Sequence, residues 1–441
     1  MNITRGYHYA AILVAISNGF LVADLAAAGD VSGVLKSQTA YSLETDKLQQ
    51  QEWLVDLEYN RQLFDGDLTV IGRVRLNTMD DLNHSSIPDS YSSIGGPLVS
   101  DNTGLIEIRE LYWDVALDDI FLRSGKQQVV WGEADGLKLL DVINPQSFRE
   151  FILDDFDDSR IPLWMINTEY SLNNNGVIQF LWIPDTSSHE LAPSHSTFAF
   201  SSPSLVLQTN SVSDVVVKDA TAPTMTLKNS DAGLRFTHFI GGWDISLNYL
   251  YHYVDAPVTR TSSRGNNSGQ TFVVTQQYER SHLIGGSVSN AFGDWTLRSE
   301  VAYETDRYHR TTSTLPGVID ADQWSTVIGL DWQGWTNQFI SVQWFQTTIT
   351  ESDADLVNNS REDIATFLWE SKFLNETLTF EWLQLHSLDH GDGVAQPRLI
   401  YNYEANLDVY VGVDNFYGNR MRLFGQFKEA DRISVGFEWG F

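Results

Sequence analysis

The last nine residues, Ile433-Ser-Val-Gly-Phe-Glu-Trp-Gly-Phe441, alternate without exception. Ile433, Val435, Phe437, Trp439 and Phe441 fall on one side, and Ser434, Gly436, Glu438 and Gly440 on the other. A period of two belongs to a β-strand with one apolar and one polar face. The pattern recurs upstream. Leu68, Val70, Val74 and Leu76 alternate with Thr69, Arg73 and Arg75. Trp295, Leu297, Val301 and Tyr303 alternate with Thr296, Arg298, Glu300 and Glu304, and Ile340, Val342 and Trp344 with Ser341 and Gln343. In a soluble sandwich the apolar face would point to a core. In a membrane barrel it points to lipid and the polar face to a wet lumen. Full charges on the second face favour the barrel.

The connections support this. Tight links are expected at Phe64-Asp65-Gly66-Asp67, Leu117-Asp118-Asp119, Asn173–Gly176, Gly241-Gly242, Gly293-Asp294, Gly334-Trp335, Asn375-Glu376 and near Asn406. Longer polar stretches lie between them, over 78–104, 132–162, 184–230, 255–274, 306–321 and 417–431. Short turns at one end and long loops at the other are the asymmetry of outer-membrane barrels. Eight short turns imply nine hairpins and so about eighteen strands, with sixteen the next best count. Trp243, Trp295, Trp332 and Trp335 sit beside the short turns, where an interfacial aromatic belt belongs. The expected fold is all-β, one transmembrane antiparallel barrel over 29–441 with no separate plug domain. A barrel of this size holds an aqueous channel unless something fills it.

Composition agrees. Of 441 residues, 14 are Trp, 17 Tyr and 23 Phe, with 31 Gly, 11 Pro and no Cys. Disulfides, thiolate metal sites and a lipidated cysteine are thereby excluded. A net charge of -30, from 28 basic and 58 acidic residues, opposes binding to nucleic acid. At the N-terminus, Arg5 precedes a mostly apolar run that ends in Ala26-Ala27-Ala28. These are the three parts of a secretory signal peptide, expected over 1–28. Asn18 and Asp24 interrupt the run and argue against a transmembrane anchor. No later segment reaches about 18 uninterrupted apolar residues, so helical spans are not expected.

The segment 132–162 stands apart. Arg149-Glu-Phe-Ile-Leu-Asp-Asp-Phe-Asp-Asp-Ser-Arg-Ile-Pro162 packs five carboxylates and two arginines into fourteen residues, after a strand expected over Phe121–Trp131. Asn144-Pro145 has the form of a helix start, with Asn as cap and Pro at the first helical position. Phe148, Phe151, Ile152 and Phe156 then share one helical face, and Glu150, Asp154, Asp157 and Asp158 another. The expectation is a short amphipathic helix over 145–158. Its aspartates face the negative end of the helix dipole and each other, so they need partners. Arg149 and Arg160 are local candidates, and Arg73, Arg75, Arg109 and Arg123 could reach in from strands. A calcium site on Asp154, Asp155, Asp157 and Asp158 is the weakest alternative, because the spacing lacks the EF-hand form. A solvated acidic loop is the bland one. The phenylalanine face favours a helix folded into the barrel mouth as a constriction or plug. Lumen candidates are Lys126, Glu133, Asp135, Asp141, Arg149, Glu150, Asp154, Asp155, Asp157, Asp158, Arg160, Arg73, Arg75 and Arg109.

Two resemblances follow. The closing strand, with its terminal Phe441, resembles the last strand of bacterial outer-membrane barrels, which implies that this aromatic is read by the outer-membrane assembly machinery. The stretch "GKQQVVWGEADGLKLLDVINPQSFREF", followed by "SRIPLWMINTEYSL", resembles a proteobacterial outer-membrane family of unknown function, the DUF1302 type. Gly125, Gln127, Trp131, Gly132, Asn144 and Pro145 match its motif, and Lys126 stands where arginine is common. The resemblance implies a porin-like barrel in the outer membrane of a Gram-negative bacterium, amid lipid and lipopolysaccharide. For some members it also implies work beside an inner-membrane exporter of the resistance-nodulation-division class. It implies no catalytic residues and no cofactor.

The chain has neither G-x-S-x-G nor H-E-x-x-H, and its histidines are scattered, so no enzyme is expected. Three functions are consistent with the sequence. One is a channel for small solutes that favours cations. Another is a route for a hydrophobic or lipid-like compound, mildly supported by the apolar loop residues Phe198, Phe200, Leu205 and Val206. The third is a structural or adhesive surface barrel with a blocked lumen.

Overall fold

The computed structural model describes residues 29–79, 90–173, 175–206, 215–218, 220–266, 269–313, 315–350 and 355–441. The expected signal peptide, 1–28, lies outside the described residues. Eighteen strands form one antiparallel ring, each beside its sequence neighbour. They are β1 (Asp30–Ser42), β2 (Leu48–Leu63), β3 (Gly66–Asn77), β4 (Gly104–Leu117), β5 (Ile120–Gln127) and β6 (Leu163–Leu172). Next come β7 (Gly176–Ile183), β8 (Asp231–Ile240), β9 (Trp243–Tyr253), β10 (Arg280–Phe292), β11 (Trp295–Arg310) and β12 (Val318–Trp332). The last six are β13 (Gln338–Ile349), β14 (Arg361–Phe373), β15 (Leu378–Ser387), β16 (Gly393–Glu404), β17 (Leu407–Tyr417) and β18 (Arg432–Gly440).

The ring closes where β1 meets β18, from Val34 opposite Gly440 to Ser42 opposite Arg432. Closure satisfies every strand edge, which a bilayer requires. Phe441 adds one more rung. Its N–H donates to the Gly33 carbonyl at 2.9 Å, and its carbonyl accepts from the Gly33 N–H at 2.8 Å.

The period-two patterns become two surfaces. Leu247, Ile284, Val301, Ile328 and Val342 are exposed on the outer face, while Ser246, Asn248, Glu300, Asp331 and Gln343 are buried toward the lumen. All eight expected turns join strands at one end. Gly241 (φ +62°) and Gly242 (φ +88°) are both left-handed, as a two-residue type I′ hairpin demands. Trp295, Trp332 and Trp335 cluster at that end, with neighbouring ring centroids 6.0 and 4.8 Å apart.

At the other end two loops differ from expectation. The connection expected over 306–321 shrinks to 311–317, because β11 and β12 continue through Arg310 and from Val318. The one expected over 255–274 holds a hairpin of its own, Val258–Asn266 and Gly269–Gln277, which Val215–Val217 joins in parallel.

One arc of the inner wall is apolar. Leu163, Met165, Leu181, Ile183, Leu250, Leu283 and Ala302 are all buried, although they sit on β6, β7, β9, β10 and β11. Residues of the segment after β5 cover them.

Candidate functional site

That segment, 128–162, does not rise out of the barrel. It begins where β5 stops at Gln127, four residues short of the expected Trp131, because the Val129 N–H is captured by Asn144 Oδ1 at 2.8 Å. Asn144 Nδ2 donates to the Ile161 carbonyl at 3.0 Å and to that of Gln127 at 3.3 Å. The Ile161 N–H in turn donates to the Pro145 carbonyl at 2.7 Å. Asn144 therefore clips the two ends of the segment together; it does not cap a helix. Lys126 is buried and donates to the carbonyls of Gly95 (2.8 Å) and Ile108 (2.9 Å), so it pins the neighbouring loop and does not face open space.

From this clip the chain crosses the lumen. Trp131 is fully buried, and its indole N–H donates to Gln179 Oε1 at 2.7 Å. A side chain at Gly233 would come within 2.9 Å of the Trp131 ring, so glycine makes the close approach possible. The backbone N–H of Glu133 donates to Glu300, and Leu140 N donates to the other oxygen of that carboxylate at 3.1 Å. Asp135 pairs with Arg298, and its N–H and carboxylate bind Gln343 at 3.1 and 3.0 Å. Val129, Trp131, Leu140 and Ile143 then seat on the apolar arc. Burial of each such side chain stabilises by roughly 1.5–3 kcal/mol, enough in sum to hold the segment down.

The expected helix over 145–158 is not formed. Ser147–Phe148 pairs in parallel with Glu190–Leu191, and Phe151 has φ +56°, which no helix accommodates. Only Phe156–Ser159 makes a helical turn. Tertiary pairing overrides the amphipathic pattern here. The apolar side chains nevertheless find their wall. Phe151, Phe198, Phe416, Phe424 and Phe427 form an aromatic cluster with Leu153 packed among them and Ile152 and Phe200 on its flank. Phe148 meets His189 and Phe200, while Phe156 lies under the Lys138 ammonium at 4.7 Å.

The crowded acids have partners. Asp158 accepts from Arg73 at 2.6 Å and from Lys36 at 2.8 Å, which holds its carboxyl below the usual range despite burial. Arg73 also grips Asp56 through both nitrogens, at 2.8 and 2.6 Å. Arg109 donates to the carbonyls of Asp157 (2.6 Å), Asp158 (3.2 Å) and Arg160 (2.6 Å), a guanidinium cap on the short helical turn. Arg160 binds Asp157 and, at 2.8 Å, Asp141. Arg149 pairs with Glu190 at 3.6 Å, and Glu150 with Arg432 at 2.6 Å. Arg75 turns to Glu52 at 3.6 Å, and Arg123 to Asp114 at 2.7 Å. Because cations divide Asp157 and Asp158 between them, the four aspartates do not converge; among the described residues no group of acids or histidines could hold a metal. The calcium candidate is withdrawn.

Several cavities adjoin the docked segment: one of about 380 Å³ beside Leu137–Asn144, one of about 360 Å³ beside Arg149 and Glu150, and one of about 280 Å³ beside Leu153–Asp158. The last is the most acidic. Seven acids line this third cavity (Glu52, Asp154, Asp155, Asp158, Glu381, Asp408 and Glu438) against three bases, Lys36, Arg75 and Arg398. A fourth cavity of about 220 Å³ shares Leu153, Asp154, Asp155, Glu381 and Arg398 with it. Burial pushes the Glu150 carboxyl up to about 7, with the Asp154 charge adding to the rise, and that of Asp154 up to about 6, with Glu52 and Asp158 adding to it.

A family model described as a protein of unknown function, DUF1302, matches residues 99–373. The chain belongs to the DUF1302 family. Among solved structures, this DUF1302 barrel is similar to Acinetobacter baumannii OccAB3, with TM-score 0.51 and 11% identity over 93% of this chain and 98% of that one. It is also similar to Pseudomonas aeruginosa OccK10, with TM-score 0.52 and 8% identity over 94% and 99%. A BenF-like porin from Pseudomonas fluorescens Pf-5 aligns over 94% and 98%, with TM-score 0.49 and 10% identity. Compared with curated proteins, the sequence has no match. At these identities the likeness is one of fold: a large antiparallel β-barrel. In this DUF1302 chain the motif residues Gln127, Trp131 and Asn144 fasten the segment inward, and Lys126 pins the loop beside it.

Of the lumen candidates, Asp154, Asp155, Asp158 and Arg75 line the most acidic cavity, and Asp135 the one that shares its wall. Lys126, Glu133, Asp141, Arg149, Arg160, Arg73 and Arg109 act as fastenings. Lys36, Glu381, Arg398 and Arg432 escaped the sequence reading. Each sits on a polar-face strand position, a signal the sequence carries for every inward charge.

Proposed function

We propose that the chain is a narrow channel for small hydrophilic solutes that favours cations, with segment 128–162 as its constriction. The porin-like architecture points to a channel rather than an enzyme. The observation that carries the reading is the seven-to-three excess of acids over bases along the cavity beside Leu153–Asp158 of the docked segment. Fixed carboxylates at a narrowing raise the local cation concentration and repel anions. The apolar side chains that enter the lumen are consumed in two packed clusters. That leaves a charged path and favours hydrophilic cargo over the lipid-like compound, with its exporter partner, that the family resemblance raised.

Single-channel recording in planar bilayers tests this. The expected result is steady conductance with a reversal potential of cationic sign under a KCl gradient. Anion preference would overturn it. So would silence in both the native protein and a variant lacking Pro145–Asp158.

A further inference from the structure

We propose that the waist of the passage is a recognition site for small zwitterions of the amino-acid class, which carry one carboxylate and one ammonium group. The inference rests on the channel reading above and names the substrate class for it. Its basis is the juxtaposition of Arg398 with Glu381, Asp154 and Asp155 where the cavities of about 280 and 220 Å³ meet.

Almost every other cation of the lumen is committed. Arg73, Arg109, Arg298, Arg432 and Lys36 each hold carboxylates or carbonyls. Arg398 makes no hydrogen bond and no ion pair within 4 Å among the described residues; it lies over the Tyr410 ring, 5.2 Å away, and its charge reaches Glu381. Tyr410 is itself held by its hydroxyl, which donates to Gln38 at 2.7 Å, so the ring is a fixed shelf beneath the guanidinium. Glu381 stands directly opposite Arg398 in the β15–β16 register, yet the two do not pair. Such neighbours have Cβ atoms about 5 Å apart and could pair without strain. Glu381 too has no hydrogen bond and no ion pair within 4 Å among the described residues; Arg398 is the cation whose charge reaches it. Asp155 has a side chain 68% exposed, and its one cation, Lys36, is 3.9 Å away.

A guanidinium without a hydrogen-bonded partner therefore faces carboxylates that no close ion pair holds, across a space a small solute can enter. A simple anion would reach Arg398 but meet the excess of acids. A simple cation would pass and leave the five guanidinium donors to water. A solute that bears both charges lays its carboxylate on Arg398, where the planar fork matches it, and its ammonium on Glu381 or Asp155. Leu153 and Ile400 in the same lining leave room for a short apolar side chain.

The test is swelling of proteoliposomes loaded with the purified protein, in alanine or glutamine and in uncharged polyols of matching size. The native protein is expected to admit the zwitterion faster by about threefold, the scale of a half-exposed ion pair. The ratio should fall toward one in Arg398→Gln and in Glu381→Gln, and Arg398→Lys should restore part of it. Heat-modifiable gel mobility confirms that each variant is folded, and Glu381→Gln stands in if Arg398→Gln is not. A ratio near one in the native protein would overturn the inference while leaving the channel reading intact, as would an unchanged ratio in both Gln variants. No swelling in any solute would overturn both.

Discussion

Glu150 and Arg432 join the inward segment to the closing strand, Oε2 to Nη1 at 2.6 Å, across 282 residues of chain. Arg432 is 2% exposed and also holds Asp414 at 2.7 Å and Gln50 at 3.3 Å. One guanidinium thus serves the barrel wall and its contents. Arg432→Met leaves two buried carboxylates without a counter-ion and should cost about 3–5 kcal/mol. Glu150→Gln keeps an acceptor and should cost only about 1 kcal/mol. The midpoint of heat modifiability on gels ranks the two, and equal midpoints would refute the bridging role.

Acid should weaken selectivity and tighten the segment together. Burial holds the Glu150 and Asp154 carboxyls above the ordinary range, up to about 7 and about 6. Groups raised in this way bind protons more tightly when the segment is docked. Their stabilising contribution is therefore full below the ordinary carboxylate value and is lost as pH rises through about 7. Protonation also removes negative charge at Asp154, in the passage, and at Glu150 beside it. From about pH 8 down to about pH 5, cation preference should decline while amide protection over 150–160, taken relative to the intrinsic exchange rate at each pH, rises. A reversal potential that stays flat over this range would exclude Asp154 as a source of the field.

Trp131→Ala should loosen the constriction without breaking the ring. The indole is fully buried on the apolar arc, and its loss should cost about 3–5 kcal/mol of docking energy. Conductance is expected to rise and become noisy, while the protein remains heat-modifiable. Unaltered conductance would mean that the segment is held mainly by its ion pairs.

Asp155→Asn and Asp158→Asn should separate field from fastening. Asp155 is exposed in the passage, so its neutralisation should lower cation preference with little effect on stability. Asp158 is wedged between Arg73 and Lys36, and losing its charge should cost about 3 kcal/mol of docking. Its carboxyl lies below the usual range, so its contribution is present above the ordinary carboxylate value and disappears only as pH falls through its own low value. Hydrogen exchange of the segment and reversal potentials, measured on both variants, distinguish the roles.

The wall was legible because its rules are local. Ile433 to Phe441 and Trp295 to Tyr303 declare their faces by alternation, and Gly241-Gly242 declares its turn by backbone geometry. The inward destination of the segment could be read from its phenylalanines, which need burial. Its conformation could not. Ser147–Phe148 pairs with residues some forty positions away, and the Asn144 side chain is spent on Val129 and Ile161; neither contact has a signature in the intervening sequence. The apolar arc did leave a trace. Val177, Leu181 and Ile183 of β7 are apolar on the same face as Gln179, opposite Ile178, Phe180 and Trp182. A strand greasy on both sides must pack against something inside.

The seam between Val34 and Gly440 has a consequence for biogenesis. Until Arg432–Gly440 has been synthesised, β1 keeps a row of amide and carbonyl groups with no partner, and so does the most recently made strand. Hydrocarbon cannot solvate either row. A chain that lacks this strand is thus kept from the bilayer by the same unpaired amides and carbonyls whose pairing stabilises the finished ring.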